Sequence, residues 1–299
     1  MKHIKISCFI LLAIITLSLA VSVSAQRMRP APNTSSKMVY HNGPVLTGAS
    51  DIYLIWYGCW SASCGNTDSV QTQFILSDFV SSLGSTPYFQ INSTYPNTSG
   101  DAPSGGLLFG GAAVDPFQSH GFELTETDVE GIISDQVLAG VLPLDPAGVY
   151  LVLASPNVSA QALGFCTAVN TPPHHGIGEV LGTTFRYGFV GDPKRCPTLE
   201  AAQFVDANGS LLPTPNSNLA GDSMAAKIAH VLSTIVTDPF GGAWYDRYGF
   251  ENADKCQGTF GQTYTTANGA RANIRLGQRD FLVGQNWVND RHARCALSQ

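Results

Sequence analysis

The 299-residue sequence predicts an α/β fold, in which a single domain is built on a mixed sheet with flanking helices. Two segments, 52–57 and 149–154, are rich in β-branched and aromatic residues and predict buried strands. Segments with helical spacing alternate with them along the chain, which is typical of α/β proteins. Neither an internal repeat nor a change of composition after Lys37 marks a second domain, so we expect one domain over residues 38–299.

The first half of the chain predicts a lead-in, a strand, a helix and a loop. Residues 26–37 are rich in Pro, Ser and Arg and are expected to be flexible. Residues 52–57 read Ile-Tyr-Leu-Ile-Trp-Tyr, which favours a buried strand. Residues 69–83 carry apolar side chains at helical spacing and predict a helix. Glycines are frequent in residues 100–111, where we expect a loop.

The second half of the chain predicts two more helices and further strands. Residues 127–139 have helical spacing, and the prolines between 143 and 146 end that helix. Asp222 is expected to be the N-cap of a helix that ends near Val236. Strands are expected at 149–154, in the centre of the sheet because the segment is continuously apolar, and at 183–190, 272–276 and 280–283.

The first 25 residues have the pattern of a secretory signal peptide. Lys2 and Lys5 form a short basic region, an apolar stretch covers 8–20, and small residues at 23–25 predict cleavage after Ala25. The alternative is a signal anchor, but the apolar stretch is shorter than the roughly 20 residues that cross a bilayer. No later segment is long and apolar enough to span a membrane, so the sequence predicts a secreted, extracellular protein.

Cysteine usage supports export. Of the seven cysteines, Cys8 lies in the signal peptide, and an even number remains in the mature chain. An even number is typical of exported, disulfide-bonded proteins, although parity leaves the connectivity open. The remaining cysteines are Cys59, Cys64, Cys166, Cys196, Cys256 and Cys295. The candidate glycosylation sites of an exported glycoprotein are the sequons at Asn33, Asn92, Asn97, Asn157 and Asn208.

The chain is acidic, with a net charge of −6 at pH 7 and no basic run. This charge argues against nucleic acid and against anionic membranes as partners, because both attract cationic surfaces. Charged residues make up only 13% of the chain, and the 30 glycines favour a loop-rich extracellular fold. We therefore expect an extracellular partner, whose identity the sequence leaves open.

Several motifs occur in a fixed order over most of residues 38–295. They are Tyr-His-Asn-Gly-Pro-Val-Leu at 40–46, the strand at 52–57, Leu-Pro-Leu-Asp-Pro-Ala-Gly-Val-Tyr-Leu-Val-Leu at 142–153, Phe-Cys at 165–166, Cys-Gln-Gly-Thr-Phe-Gly at 256–261, Trp287 and Cys295. In this order and spacing the chain resembles the EXORDIUM, or phosphate-induced protein 1, family of plants. The resemblance implies a protein of the apoplast or cell wall that is associated with growth and cell expansion.

The resemblance also implies that the protein is non-catalytic, because no catalytic activity is established for the family as a class. On this basis no catalytic and no cofactor-binding residue is predicted. The predicted function is that of a secreted EXORDIUM-like protein of the extracellular space or cell wall. A single EXORDIUM-like domain would cover residues 38–299.

The departures from the family pattern suggest how the cysteines pair. Plant relatives carry an additional cysteine shortly after the positions that match Cys166 and Cys196, and this chain lacks both. Cys59 and Cys64 resemble an insertion relative to the family and suit a local loop. The resulting hypothesis pairs Cys59–Cys64, Cys166–Cys196 and Cys256–Cys295.

The late helix raises the question of a zinc site. Some family members carry His-Glu-x-x-Glu on this helix, which resembles a zincin metallopeptidase and implies a zincin-like arrangement with a disulfide-tied C-terminal extension. A zinc hydrolase needs ligands at i and i+4 and a glutamate base at i+1. Here His230 holds the first ligand position, Val231 replaces the base and Thr234 replaces the second ligand.

The favoured interpretation of His230 is a hydrogen-bonded or solvent-facing histidine on an amphipathic helix. Its neighbours Ser233 and Thr234 would share a polar face. A residual zinc site is the alternative, with Asp238 or the pair His174 and His175 as further ligands.

Two functional alternatives therefore stay open. The first is a secreted zinc-dependent hydrolase of the peptidase kind, or a degenerate relic of one. The second is a carbohydrate-binding module that stacks sugar rings on exposed aromatic side chains. Among the four tryptophans, Trp56 and Trp287 are expected to fill the core instead.

Overall fold

The computed structural model describes residues 36–299. The predicted signal peptide, nearly all of the lead-in and the sequon at Asn33 lie outside the described residues. The helices are α1 (Ser69–Leu83), α2 (Glu126–Leu138), α3 (Pro197–Glu200) and α4 (Leu219–Thr237). The strands are β1 (Met38–Tyr40), β2 (Ser50–Tyr57), β3 (Leu107–Asp115), β4 (Val149–Ala154), β5 (His175–Val180), β6 (Thr183–Gly191), β7 (Trp244–Asp246), β8 (Tyr264–Thr265), β9 (Arg271–Ala272), β10 (Ile274–Leu276), β11 (Arg279–Phe281), β12 (Asn286–Val288) and β13 (Arg294–Ala296).

The largest sheet has five strands in the order β3-β2-β4-β6-β5. Four of them run parallel, and the edge strand β5 pairs antiparallel with β6. Strand β4 pairs on both sides, which confirms the central position that its continuous apolar sequence predicted. The predicted α/β class with a mixed sheet is therefore confirmed.

Alternate residues of the central strands face opposite helical layers, because side chains of a strand alternate between its two faces. Leu54 and Leu151 pack, fully buried, in a cluster with side chains of α1 and α4. Ile55 and Val152 belong to the cluster on the other face, with side chains of α2. Each buried side chain of this size contributes roughly 1.5–3 kcal/mol, so burial on both faces accounts for the position of the sheet between the helices.

Side chains cap the N-terminal ends of both α2 and α4, but the residue that caps α4 is not the predicted one. Thr125 caps α2 in a reciprocal arrangement with Asp128, and the helix begins one residue before the predicted start. Helix α4 begins at Leu219, and Asn218 is its N-cap, whose Oδ1 accepts a hydrogen bond from the Gly221 amide at 2.7 Å. The prediction that Asp222 caps this helix was therefore wrong.

Asp222 lies in the first turn of α4 and binds the loop that precedes the helix. It is buried, and its carboxylate accepts hydrogen bonds from the main-chain and side-chain nitrogens of Asn216, at 2.8 and 2.6 Å. The aspartate holds the preceding loop against the helix, and its negative charge lies at the favourable end of the helix dipole. Sequence alone did not separate the two caps because both residue types favour the position.

The glycine-rich segment contains a strand that the sequence did not predict. Residues 100–111 were expected to form a loop, but the second half of this segment is the start of β3, an edge strand parallel to β2. The register shifts at Ile52, and a Cβ at Gly110 would lie 2.6 Å from the ring of Tyr53. Glycine is thus required where the bulged strand passes close to an aromatic side chain.

The C-terminal part of the chain consists of small two-stranded sheets that pack beside α1 and α4. Strands β8 and β9, β10 and β11, and β12 and β13 form antiparallel pairs, while β1 pairs with β7. Phe281 of β11 packs edge-to-face on Phe79 of α1, with ring centroids 4.8 Å apart. The two late strands predicted from the sequence correspond to parts of β9 to β11, which turns interrupt.

The six cysteines after the signal peptide lie at disulfide distance in three pairs. The Cα–Cα separations are 6.3, 5.8 and 5.5 Å for Cys59–Cys64, Cys166–Cys196 and Cys256–Cys295. These are the pairs that the family resemblance suggested, and the last of them ties the C-terminal extension to the segment after β7. Among residues 36–299 the structure contains no helix with the length and apolar character that crossing a bilayer requires.

Candidate functional site

A groove that is open to solvent runs along the middle of α4. Its floor is formed by Lys227 and His230, which lie one turn apart on the same side of the helix. One wall comes from the region of α3, with Glu200 and Gln203. The opposite wall comes from the segment after β7, with Gln257. We call this feature the α4 groove.

Helix α4 is buried on far more of its surface than the sequence predicted. Met224 and Leu232 contact the sheet side, as expected from their spacing. The predicted polar face is covered as well, since Ser233 and Thr234 are almost fully buried. Asn252 lies over them, and its side-chain amide donates to the carbonyl oxygen of Ser233 at 3.1 Å. Apart from Leu219 at its start, the partly exposed residues of the helix face the groove.

His230 is held by a carboxylate rather than exposed to solvent. Its Nε2 lies 2.9 Å from Oδ1 of Asp254, and the two side chains are only 15% and 3% exposed. The other oxygen of Asp254 accepts a hydrogen bond from the main-chain nitrogen of Glu251 at 3.2 Å. The prediction of a hydrogen-bonded histidine is confirmed, whereas the open amphipathic helix around it is not.

Glu251 connects the floor of the groove to strand β5. Its Oε2 lies 2.8 Å from Nε2 of His175, and both side chains are largely buried. Burial by itself lowers the pKa of His175, but the adjacent carboxylate of Glu251 outweighs burial and raises that pKa above its ordinary value. Behind the groove, two histidine–carboxylate pairs, joined through the main-chain nitrogen of Glu251, therefore link α4 to the edge of the central sheet.

Lys227 has its own carboxylate partner. Its Nζ lies 3.1 Å from Oε2 of Glu200 and donates to the carbonyl oxygen of Thr171 at 2.9 Å. The other oxygen of Glu200 accepts a hydrogen bond from the main-chain nitrogen of Cys166 at 2.9 Å. This pair connects the floor of the groove to the wall that the Cys166–Cys196 pair holds.

Val231 and Thr234 occupy the positions at which a zinc peptidase has its glutamate base and its second ligand, and both are buried in the core. Val231 is fully buried, and its methyl groups lie against Gly188 in the middle of β6. The hydroxyl of Thr234 donates to the carbonyl oxygen of Val231 at 2.9 Å. Neither side chain points to a place where a metal-bound water could be activated, so the residues of α4 do not fit a zinc site of the His-Glu-x-x-Glu kind.

The four residues considered as metal ligands do not converge. His230 binds Asp254, and His175 binds Glu251. Asp238 accepts hydrogen bonds from the amides of Gly242 and Ala243, both at 2.7 Å. His174 lies 3.6 Å from Glu126 of α2, on the other side of the sheet edge. Within residues 36–299, no group of three or more His, Cys, Asp or Glu side chains is arranged to hold a metal ion.

The sequence did not single out Lys227, Glu200, Glu251 or Asp254, although these residues build the groove. Each of the three ion pairs around it joins residues at least 24 positions apart in the chain. No motif or spacing marks such pairs. A signal was available for Lys227, which is a charged residue within the mostly apolar segment 223–236, but not for Glu251 and Asp254, which lie in a polar segment.

The usual ligand site of an open α/β sheet is closed in this protein. The strand order reverses between β2 and β4, and ligands commonly bind beyond the carboxyl ends of strands at such a point. Here Trp60 covers the strand ends, and its indole nitrogen donates to the carbonyl oxygens of Tyr57 and Leu153 at 3.2 and 3.0 Å. The α4 groove is thus a more accessible site than the switch point.

The candidate glycosylation sites differ in accessibility. Asn157 and Asn208 are exposed, and Asn97 is half-buried in a turn. Asn92 is fully buried and accepts hydrogen bonds from Asn252 and Asn286 at 2.9 and 3.0 Å. A glycan on Asn92 is incompatible with this packing, so the prediction of Asn92 as a glycosylation site was wrong for the folded protein.

The tryptophans bear on the idea of a sugar-stacking surface. Trp56 and Trp287 are only 4% exposed, which confirms that they fill the core, and Trp60 is also buried. Trp244 is half-buried, and its indole nitrogen donates to the carbonyl oxygen of Pro96 at 3.1 Å. These side chains do not form an exposed aromatic surface.

The family model and the relatives that match this chain all belong to one protein family. The family model described as "Phosphate-induced protein 1 conserved region" matches residues 38–278. The chain is 29% identical to protein EXORDIUM-like 3 of Arabidopsis thaliana over 279 residues, which cover 84% of this chain and 80% of that protein. It is 30% identical to EXORDIUM-like 5 of the same plant, over 83% of this chain and 74% of the relative.

A more distant relative comes from tobacco. Protein PHOSPHATE-INDUCED 1 of Nicotiana tabacum is 25% identical over 244 residues, which cover 74% of this chain and 72% of that protein. No solved structure matches the chain.

Proposed function

The chain belongs to the phosphate-induced protein 1, or EXORDIUM-like, family, and from this membership we propose that it is an exported protein of the extracellular space or cell wall that acts by binding rather than by catalysis. The proposal includes a role in growth and cell expansion, in keeping with the resemblance described above. Its binding site is the α4 groove. The observation that carries the non-catalytic part is the packing of Val231 and Thr234 into the core.

Export is supported by two independent features. The first 25 residues have the sequence of a signal peptide. The six cysteines that follow lie at disulfide distance in three pairs, which is typical of proteins that fold in an oxidising compartment.

Expression of the tagged full chain in plant cells tests the export proposal. We expect the protein in the medium or the wall fraction, with Gln26 as its N-terminal residue. A matched chain that lacks residues 2–25 is expected to stay inside the cells. Recovery of the full chain inside the cells, with residues 1–25 still attached, would contradict the proposal.

A zincin-like relic is the second candidate, and one observation favours it. His230 faces an open groove, and the helix that carries it follows β6 and packs against a mixed sheet with an antiparallel edge strand. We therefore include in the proposal that the fold is zincin-like and that the metal chemistry of such a fold is lost in this chain. A secreted hydrolase that still works with zinc is the alternative to be tested.

Metal content and hydrolysis separate the relic from a working enzyme. We expect less than about a tenth of an equivalent of zinc in the purified mature chain, because one histidine and its carboxylate partner do not complete a four-ligand site. We also expect no chelator-sensitive cleavage of casein or of wall polysaccharides. Zinc near one equivalent that is lost in His230→Ala but retained in the control His292→Ala would establish the hydrolase alternative instead.

A further inference from the structure

The α4 groove contains charged side chains, but their charges are already neutralised within the protein. Glu200, Lys227 and His230 line it, and the remaining titratable side chain is the buried phenol of Tyr88. Lys227 pairs with Glu200 at 3.1 Å, and His230 pairs with Asp254 at 2.9 Å. A charged ligand would have to compete with these internal partners. The groove is therefore suited to a neutral ligand.

Side-chain amides are the polar groups that remain available in the groove. Gln203 and Gln257 are half-buried on opposite walls, and Asn170 is exposed at the rim. None of these three amides makes a side-chain hydrogen bond within the described part of the chain. Gln285 uses its Nε2 to reach the carbonyl oxygen of Cys295 at 3.1 Å, which leaves its Oε1 available.

A side-chain amide is complementary to a pair of neighbouring hydroxyl groups. It offers a donor nitrogen and an acceptor oxygen side by side. A hydroxyl both donates and accepts, so two neighbouring hydroxyls of a sugar can bond to both ends of one amide. Each hydrogen bond from such an amide to a ligand replaces one to water, so its net contribution is about 0.5–1.5 kcal/mol.

The groove also has an apolar surface and fixed walls. Phe260 and Leu199 are half-buried and line the two sides, where they can contact the C–H face of a sugar ring. Cys166–Cys196 holds one wall, and Cys256–Cys295 holds the other. Walls that are fixed before binding reduce the entropy lost when a ligand is bound.

We infer that the α4 groove binds a neutral, hydroxyl-rich ligand of mono- or oligosaccharide chemistry through the amides of Gln203 and Gln257. The groove is open to solvent, so a ligand can enter it without displacing a part of the protein. This inference rests on the proposed function, because it names the ligand class of the same groove.

Calorimetric titration of the purified mature chain tests the inference. The probes are glucose, neutral oligosaccharides of glucan, xylan and galactan, and charged oligogalacturonates. We expect binding of at least one neutral sugar. The monosaccharide and oligosaccharide arms distinguish a free sugar from a segment of a wall polysaccharide as the source of the ligand.

Matched variants locate the binding. The double variant Gln203→Ala/Gln257→Ala is expected to weaken binding roughly thirtyfold, as the loss of two hydrogen bonds of ordinary strength predicts. Gln278 is exposed in the turn between β10 and β11 and does not line the groove, so Gln278→Ala is the control and should bind as the unchanged chain does. Thermal unfolding of each variant verifies that it is folded.

Three results would overturn the inference. They are the absence of binding to every neutral probe, equal affinity of the folded double variant and the unchanged chain, and a preference for oligogalacturonate. Product analysis of the same mixtures keeps the two proposals apart. Cleavage of a bound sugar would contradict the non-catalytic function and leave the binding inference intact, whereas absent binding would remove only the inference.

Discussion

The carboxylate of Asp192 is buried with only part of its hydrogen-bonding capacity used. Asp192 follows directly after β6 and is fully buried. Its Oδ1 accepts a hydrogen bond from the main-chain nitrogen of Lys194 at 2.9 Å, but its Oδ2 has no partner in the described part of the chain. Burial is the main reason that the pKa of Asp192 rises to about 6, and Lys194 offsets this only in part.

Removal of the Asp192 charge is expected to stabilise the protein in a pH-dependent way. Because the folded pKa of about 6 lies above the ordinary 3.8, the folded state holds the proton more tightly than the unfolded state. The resulting loss of stability is absent below pH 4, develops between pH 4 and 6, and is complete above pH 6. Asp192→Asn keeps an oxygen that can accept from Lys194 and should raise the free energy of unfolding at pH 8 by about 1–3 kcal/mol.

Urea unfolding at pH 4 and at pH 8 measures this effect. At pH 4 the Asp192→Asn variant should match the unchanged chain. Asp206 makes the same kind of hydrogen bond to a main-chain nitrogen two residues on, at 2.8 Å, but lies in a more open turn. Asp206→Asn should therefore show no gain at pH 8, and an equal gain in both variants would contradict the explanation.

At the scale of elements, α4 both packs against the central sheet and forms the floor of the α4 groove. One side of the helix packs against β6, where Gly188 lets Val231 approach the sheet. Another side is covered by the C-terminal extension, and a third forms the floor of the groove with Lys227 and His230. An element with three different environments has no simple apolar stripe, which explains why a pattern of period 3.6 described it incompletely.

The contact between α4 and the sheet can be tested by overpacking. A Cβ at position 188 would lie 2.8 Å from a methyl carbon of Val231 and 3.0 Å from one of Leu151. Gly188→Ala should lower the free energy of unfolding by about 1–3 kcal/mol, because the core has to shift to admit the methyl group.

Two comparisons make the overpacking test specific. A Cβ at Gly48 would meet no atom within 4 Å, so Gly48→Ala is the control and should change stability little. Combining Gly188→Ala with Val231→Ala should cost less than the sum of the single changes, since the shortened side chain makes room. Additive costs in urea unfolding would show that the two positions do not interact.

At the scale of the whole molecule, three cysteine pairs connect the segments around the sheet. Cys256 and Cys295 are 39 positions apart and tie the end of the chain to the segment that lines the groove. Cys59 and Cys64 are only five positions apart and close a local loop beside β2. Their contributions to stability should differ, because a long loop loses more entropy on closure than a short one.

The double variant Cys256→Ser/Cys295→Ser should lower the free energy of unfolding by on the order of 3–4 kcal/mol. Cys59→Ser/Cys64→Ser is the matched control, and its loss should be about half as large by the same loop-entropy argument. Chemical unfolding without reductant measures both. Peptide mapping of the unreduced chain checks the pairing itself, and a cross-link between Cys166 and Cys256 would rule it out.

Much of the fold was predictable because helical spacing and apolar runs are visible in the local sequence. Helix α1 occupies the predicted range, α2 differs by one residue at each end, and the apolar run of β4 indicated a central strand. Strand β3 was missed because its glycines are required by a neighbouring ring rather than by a turn. The prediction of Asp222 as a cap failed because Asn218, four residues earlier, competes for the same role.

The sequence by itself determined the class of the fold, the family and the candidate signal peptide, since each depends on residue types and spacing along the chain. Only the tertiary structure decided what His230 and Lys227 do and whether Asn92 is accessible. The physical reason is that pairing and burial depend on partners far away in the chain, such as Asp254 and Glu200. Asp254 pairs with His230 and Glu200 with Lys227, so both side chains on the floor of the groove already have a partner within the protein.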